Sequence, residues 1–210
     1  MDFYIILAYP KRILFRFETI KLRCMTMLEH NLKELLLKGN SRSYTDFVAD
    51  IVSKRPELVG QLWDIYLSME EPVSRRAAWI IDTASEDKPD WVEPFLPDLI
   101  RKLPVFNHDG LKRHALRMIA RLPFPVNTDG ELMNITFEWL LSPTESVAVK
   151  MYCIQILYRL SATEPDILQE LYDTIEFQMS DGTPGFRSIG SKMMRDIDKD
   201  IMQRKTKSGK

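Results

Sequence analysis

Val73-Ser-Arg-Arg-Ala-Ala-Trp-Ile-Ile81 and Leu111-Lys-Arg-His-Ala-Leu-Arg-Met-Ile119 decide how this chain is read, because the second repeats the pattern of the first 38 residues later. Each opens on a large apolar residue, places alanine four positions on (Ala77, Ala115), and then sets an apolar pair, Ile80 with Ile81 and Met118 with Ile119. Another step of 38 lands on Val149, Cys153, Ile156 and Leu157. Ala84, Leu122 and Leu160 close the copies, and a shorter one begins at Phe186, with Gly190, Met193, Met194 and Ile197 in the corresponding places. These spacings put the apolar residues on one face of a helix. A small residue at a fixed point on that face lets neighbouring helices approach, while the bulky ones around it fill the seam.

Each such first helix is followed by a second with a common opening: Pro56-Glu57-Leu58-Val59, Pro89-Asp90-Trp91-Val92 and Pro165-Asp166-Ile167-Leu168. Proline in a first helical turn forfeits no hydrogen bond, and an acid there suits the positive end of the helix dipole. The third unit uses Thr128-Asp129-Gly130-Glu131, in which Thr128 or Asp129 can cap. Upstream, Leu28, Leu32, Leu35 and Leu36 share a helical face that stops at Gly39-Asn40, and a helix from Tyr44 to Lys54 carries Phe47, Val48, Ile51 and Val52. No stretch alternates as a strand does. The expected fold is therefore all-α, an α-α superhelix of about four to five helical pairs, in which stacking buries the face that one pair leaves exposed and the first and last units act as caps.

The Val73 and Leu111 segments, with basic residues just ahead of the small one, resemble the first helices of HEAT/armadillo repeats. The resemblance spans residues 43–200 and implies a fold more firmly than an activity. A tetratricopeptide reading has a shorter unit and a signature that this sequence lacks.

Charge is abundant and balanced, with 29 Lys and Arg against 30 Asp and Glu. No global field therefore draws the molecule to nucleic acid or an anionic membrane. Residues 1–24 form an extension that does not match the repeat pattern. Its apolar run (Phe3 to Leu7) follows Asp2 and precedes Lys11 and Arg12, the reverse of a secretory signal, and is too short to span a bilayer. Met25 and Met27 are alternative starts. Residues 25–210 read as one repeat domain, and Cys24 and Cys153 read as reduced thiols of a cytoplasmic protein.

The chemistry-bearing residues suggest no reaction. His30, His108 and His114 lack companions at metal-ligand spacing, so they are expected to be surface histidines, and no metal or other cofactor is expected. Cys153 occupies the small core position, where a thiol behaves as a hydrophobe. Gly182-Thr-Pro-Gly185 lacks the ending of a phosphate loop. Gly190-Ser191-Lys192-Met193-Met194-Arg195 faintly resembles the Gly-Ser-Ser-x-Met-Pro loop of the fumarase/adenylosuccinate lyase family. Lys192 and Met194 depart from it, and so does the helical context, so assignment to that lyase family is expected to be erroneous.

The HEAT-like DNA glycosylases for alkylated bases resemble the chain in architecture and size, but they require a basic concave surface. Here the bases gather on first helices (Arg75, Arg76, Lys112, Arg113, Arg117, Lys150), expected to form the outer layer. The second helices, expected to line the concave side, carry acids (Glu57, Asp64, Asp90, Glu93, Asp98, Glu131, Glu138, Asp166, Glu170, Asp173 and Glu176), with Arg101 and Lys102 as the main exceptions. Nucleic acid is thus a poor fit, and the expected role is a non-enzymatic scaffold that receives a basic or amphipathic segment of another protein. Phe137, Glu138, Glu170, Asp173, Glu176 and Phe177 are the expected contact residues, Phe177 because it falls off the Ile167, Leu168, Leu171, Ile175 stripe. Trp91 is expected in the core with Val92, Phe95 and Leu96. The helix from Leu132 to Leu141, apolar nearly all round, is expected to be buried on both sides.

Overall fold

The computed structural model describes residues 32–125 and 129–208. The expectations for residues 1–24, for Met25, Met27, Leu28 and His30, and for a Thr128 cap lie outside the described residues. Two compact units divide between Ala84 and Ser85, and no strand occurs among the described residues.

The first unit contains α1 (Leu32–Leu37), α2 (Arg42–Ser53), α3 (Glu57–Leu67) and α4 (Val73–Ala84). The start of α2 is set by Ser41, whose extended backbone leaves its hydroxyl free to accept from the Tyr44 amide at 3.2 Å. The Tyr44 hydroxyl in turn donates to the Leu35 carbonyl at 2.8 Å, folding α2 back over the end of α1. Gly39 is required at this crossing, because a Cβ there would lie 2.5 Å from the Tyr44 ring. α1, α2 and α3 all pack on α4. Leu35, Leu36, Val48, Leu62, Tyr66 and Ala77 are buried at the centre, where each large apolar side chain contributes about 1.5–3 kcal/mol.

The second unit opens with 3-10 turns at Pro89–Trp91 and Glu93–Phe95, then α5 (Leu96–Lys102) and a further 3-10 turn at Leu103–Val105. The opening Pro89-Asp90-Trp91-Val92 predicts one helix running from Pro89, but the regular helix begins only at Leu96. Pro94 and Pro97 supply no backbone N–H, and the chain tightens into short turns before a regular helix can form. Trp91 and Phe95 are accordingly half-buried rather than core, whereas Val92, Leu96, Leu99 and Ile100 are buried as expected.

α6 (Asp109–Arg121), α7 (Asp129–Leu141), α8 (Val147–Leu160), α9 (Ile167–Met179) and α10 (Pro184–Ser208) complete the unit. The first helices lie side by side, α6 on α8 and α8 on α10. Second helix α7 packs on α8 and on α5, and α9 packs on α8 and α10.

The repeat register survives in three dimensions. Ala77, Ala115 and Cys153 have no solvent exposure. Gly190 occupies a close approach of α9 and α10, where a Cβ would lie 2.8 Å from Met179 Sδ and 3.0 Å from Ile175 Cγ2. Val73, Leu111, Val149 and Phe186 are all buried, as are the closing residues Ala84, Leu122, Leu160 and Ile197.

Several bases on the first helices turn inward, while Arg75 and Arg113 are exposed as expected of an outer layer. Arg159 of α8 donates through Nη1 to the Ile119 and Ala120 carbonyls (3.0 and 2.6 Å) and through Nη2 to the Leu122 carbonyl (2.9 Å). These lie at the end of α6, which leaves its last carbonyls without intrahelical partners. Arg121, one repeat earlier in register, reaches Ser85 Oγ at 2.6 Å, and in the first unit Arg76 donates to the Leu36 carbonyl at 2.7 Å. Lys112 is drawn inward as well. It pairs with Glu145 and lies 4.6 Å from the centre of the Trp139 ring, with both charged side chains largely buried. His114, expected on the surface, is buried on the α6 face next to Ala115.

Candidate interaction surface

All the acids named on second-helix segments are exposed, except that the side chain of Asp129, just inside α7, is not described. The cause is the helical period. In α9, Ile167, Leu168, Leu171 and Ile175 take the buried stripe, which turns Glu170, Asp173, Glu176 and Phe177 to solvent. Glu170, Asp173 and Phe177 stand at i, i+3 and i+7 on one face, with Glu176 on its flank. Asp173 accepts from Gln169 Nε2 at 2.8 Å. Phe177 is 79% exposed, a large apolar ring held in water beside carboxylates.

In α7, Leu132, Ile135, Trp139 and Leu140 are buried, and Thr136 is accommodated among them by donating to the Leu132 carbonyl at 2.6 Å. Burial on both sides, expected from the sequence, stops short of the helix end. Phe137 is half-buried, Glu138 is exposed, and Leu141 is 55% exposed because the chain leaves the helix there.

Two clefts open beside these helices. One, of 350 Å³, lies between α5 and α7 and is lined by Arg101, Pro104, Glu131, Asn134 and Glu138 over Ile100 and Ile135. The other, of 320 Å³, lies where α7 and α9 end and α8 and α10 begin. Leu141, Pro143, Val147, Phe177 and Phe186 supply its apolar lining, and Glu145, Lys150, Gln178, Asp181 and Thr183 its polar one. The structure therefore separates the expected contact residues. Glu138 belongs to the first cleft and Phe177 to the second, while Phe137, Glu170, Asp173 and Glu176 line neither.

Lys150, expected in an outer layer, instead lines the second cleft. Its Nζ donates to Gln178 Oε1 at 2.5 Å and lies 5.8 Å from the centre of the Phe186 ring. Burial pulls its amine below the ordinary lysine value, opposed by the Glu145 carboxylate nearby. A shallower hollow of 410 Å³ between α6 and α8 holds Arg117, Arg121, Tyr152 and Gln155, but Arg117 pairs with Glu86 and Arg121 with Ser85.

The remaining candidates for chemistry are structural. Burial pushes the Cys153 thiol far above its ordinary value, so it is not a thiolate nucleophile. His108 caps α6, its Nδ1 accepting from the Gly110 amide at 3.0 Å. The Gly190-Ser191-Lys192 fragment lies within α10 rather than in a loop. Among the described residues, no group of three metal-ligating side chains gathers, and no helix is long and apolar enough to cross a membrane.

The chain matches no curated protein and no solved structure. A family model described as HEAT repeat domain matches residues 32–197, nearly the whole of the described chain. The repeat register, the stacked helical pairs and this match agree, and the chain belongs to the HEAT repeat domain family.

Proposed function

We propose that this protein is a non-enzymatic interaction scaffold whose second-helix side receives a basic or amphipathic segment of another protein in the cytoplasm. The observation that carries the reading is Phe177, an exposed ring next to the exposed carboxylates Glu170, Asp173 and Glu176. Fixed charge steers a partner of opposite sign, and a desolvated aromatic anchor retains it. Helical-repeat proteins supply this kind of extended surface. The repeat register crosses from the first unit to the second in sequence, which supports treating residues 25–210 as one repeat array.

A glycosylase for alkylated DNA bases is the competing reading. Arg76, Arg159 and Lys112 of the first helices are engaged in capping and an ion pair, and the second helices present mostly acids, with Arg101 and Lys102 as exceptions, which disfavours a continuous grip on phosphate. The experiment is an affinity capture with the full chain beside a Glu170→Lys/Asp173→Lys variant. Proteins with basic segments should be retained by the parent and lost from the variant. Equal capture by both, or selective retention of duplex DNA, overturns the proposal.

A further inference from the structure

Among the described residues of the second unit, the exposed large apolar side chains are Val105, Leu141, Phe177 and Met202, and two of them, Leu141 and Phe177, line the same cleft. They come from the ends of different second helices, so their convergence is a property of the fold and not of one helix's pattern. Val147 and Phe186, from the starts of α8 and α10, form the rest of the apolar lining. We propose that this cleft is the anchor socket for the partner: it takes one large aliphatic or aromatic side chain projecting from a cationic amphipathic helix. This rests on the scaffold reading above and adds where the partner is held.

Size and charge choose that occupant. A space of 320 Å³ is at the lower end of the range of about 300–1,000 Å³ in which ligands are enclosed, room for a side chain or two. The carboxylates nearby are outward: Asp181 at the cleft and Glu170, Asp173 and Glu176 along α9 are all exposed. Neither α7 nor α9 carries a basic residue in its own last turn. The cation in the lining, Lys150, is turned to Gln178 and the Phe186 ring, and Glu145 is paired with Lys112. Five apolar side chains thus line the inner surface, where Lys150 is bonded to a neutral amide rather than a carboxylate, and the exposed carboxylates of Asp181 and α9 lie outward of it. An anionic or wholly polar segment would meet the wrong sign at the rim and bury nothing inside. A helix with leucines on one face and lysines on the other satisfies both.

The test titrates the full chain with three synthetic helical peptides of equal length: one of leucine and lysine in amphipathic order, one with every leucine replaced by alanine, and one with every lysine replaced by glutamate. The Leu/Lys peptide should bind about tenfold or more tightly than the Ala/Lys peptide, and that advantage should vanish in Leu141→Ser and in Phe177→Ser. Both positions are exposed, and helical circular dichroism of each variant verifies that it remains folded. If the Ala/Lys peptide binds as well as the Leu/Lys peptide, or if both serine variants keep the advantage, the socket is wrong while the acidic-surface reading stands. If the Leu/Glu peptide binds as tightly as the Leu/Lys peptide, the charge reading fails and the socket with its cationic occupant fails with it.

Discussion

Arg159 donates to the Leu122 carbonyl at 2.9 Å, so that a side chain on one first helix closes the end of the first helix before it. The same guanidinium reaches the Ile119 and Ala120 carbonyls and stacks on Phe124, its centre 4.1 Å from that of the ring. A planar fork with several donors can satisfy carbonyls that point along a helix axis, and an ammonium cannot cover the same set. Arg159→Ala should therefore cost about 2–3 kcal/mol, and Arg159→Lys should recover less than half of it, read from urea unfolding. Equal stability of all three proteins would show that the carbonyls are served by water instead.

The pair formed by Lys112 and Glu145 gives a second expectation. With side-chain exposures of 14% and 9%, either charge left alone is costly. Lys112→Met should destabilise by about 3–5 kcal/mol, and adding Glu145→Gln should restore most of that loss. A double variant no better than the single one would locate the damage in the packing of the lysine stem against Trp139.

Tyr158 supplies a pH dependence. Its hydroxyl donates to Asp200 at 2.7 Å, and this bond, with burial and the carboxylate's charge, pushes the phenol up to about 12. A value raised on folding means that the folded state holds the proton where the unfolded state has lost it. The contribution is complete below the ordinary tyrosine value of about 10 and falls away as pH rises from there through about 12. The stability difference between the parent and Tyr158→Phe should shrink across that interval, and one late-ionising phenol should disappear from the absorbance titration of the variant. A difference that stays constant with pH contradicts the assignment.

Ala115 tests the packing of the repeats. It has no exposure and sits where α6 meets its neighbours, so Ala115→Trp should overpack the seam and cost about 1–3 kcal/mol or more. The parent should give a strongly helical circular dichroism spectrum. An undiminished melting temperature in the variant would mean that the small position is not at a seam.

The architecture was legible because Ala77, Ala115 and Cys153 recur in register with their apolar neighbours, and periodicity of that kind survives local irregularity. Pro94 is equally visible, but the apolar stripe around Trp91 runs on past it, so helical spacing alone does not show where the helix breaks. His114 adjoins the small position Ala115, which was a signal for burial. Other features had no local signal. Arg159 acts across a full repeat, and Lys150 turns inward only because Gln178 and Phe186 stand beside it. Leu141 is apolar like the residues before it, and its exposure follows from where the chain turns away after α7. The cleft it shares with Phe177 is a meeting of helix ends, which spacing along one helix cannot show.

The most direct measurement of the central claim is the association rate of the Leu/Lys peptide with the parent and with Glu170→Lys/Asp173→Lys across a range of ionic strength. The parent should associate fast at low salt and slow steeply as salt rises. The variant should start slower by about tenfold and show a nearly flat dependence, with both proteins equally folded. Superimposable rates at every salt concentration would contradict the acidic second-helix surface as the place where a partner is received.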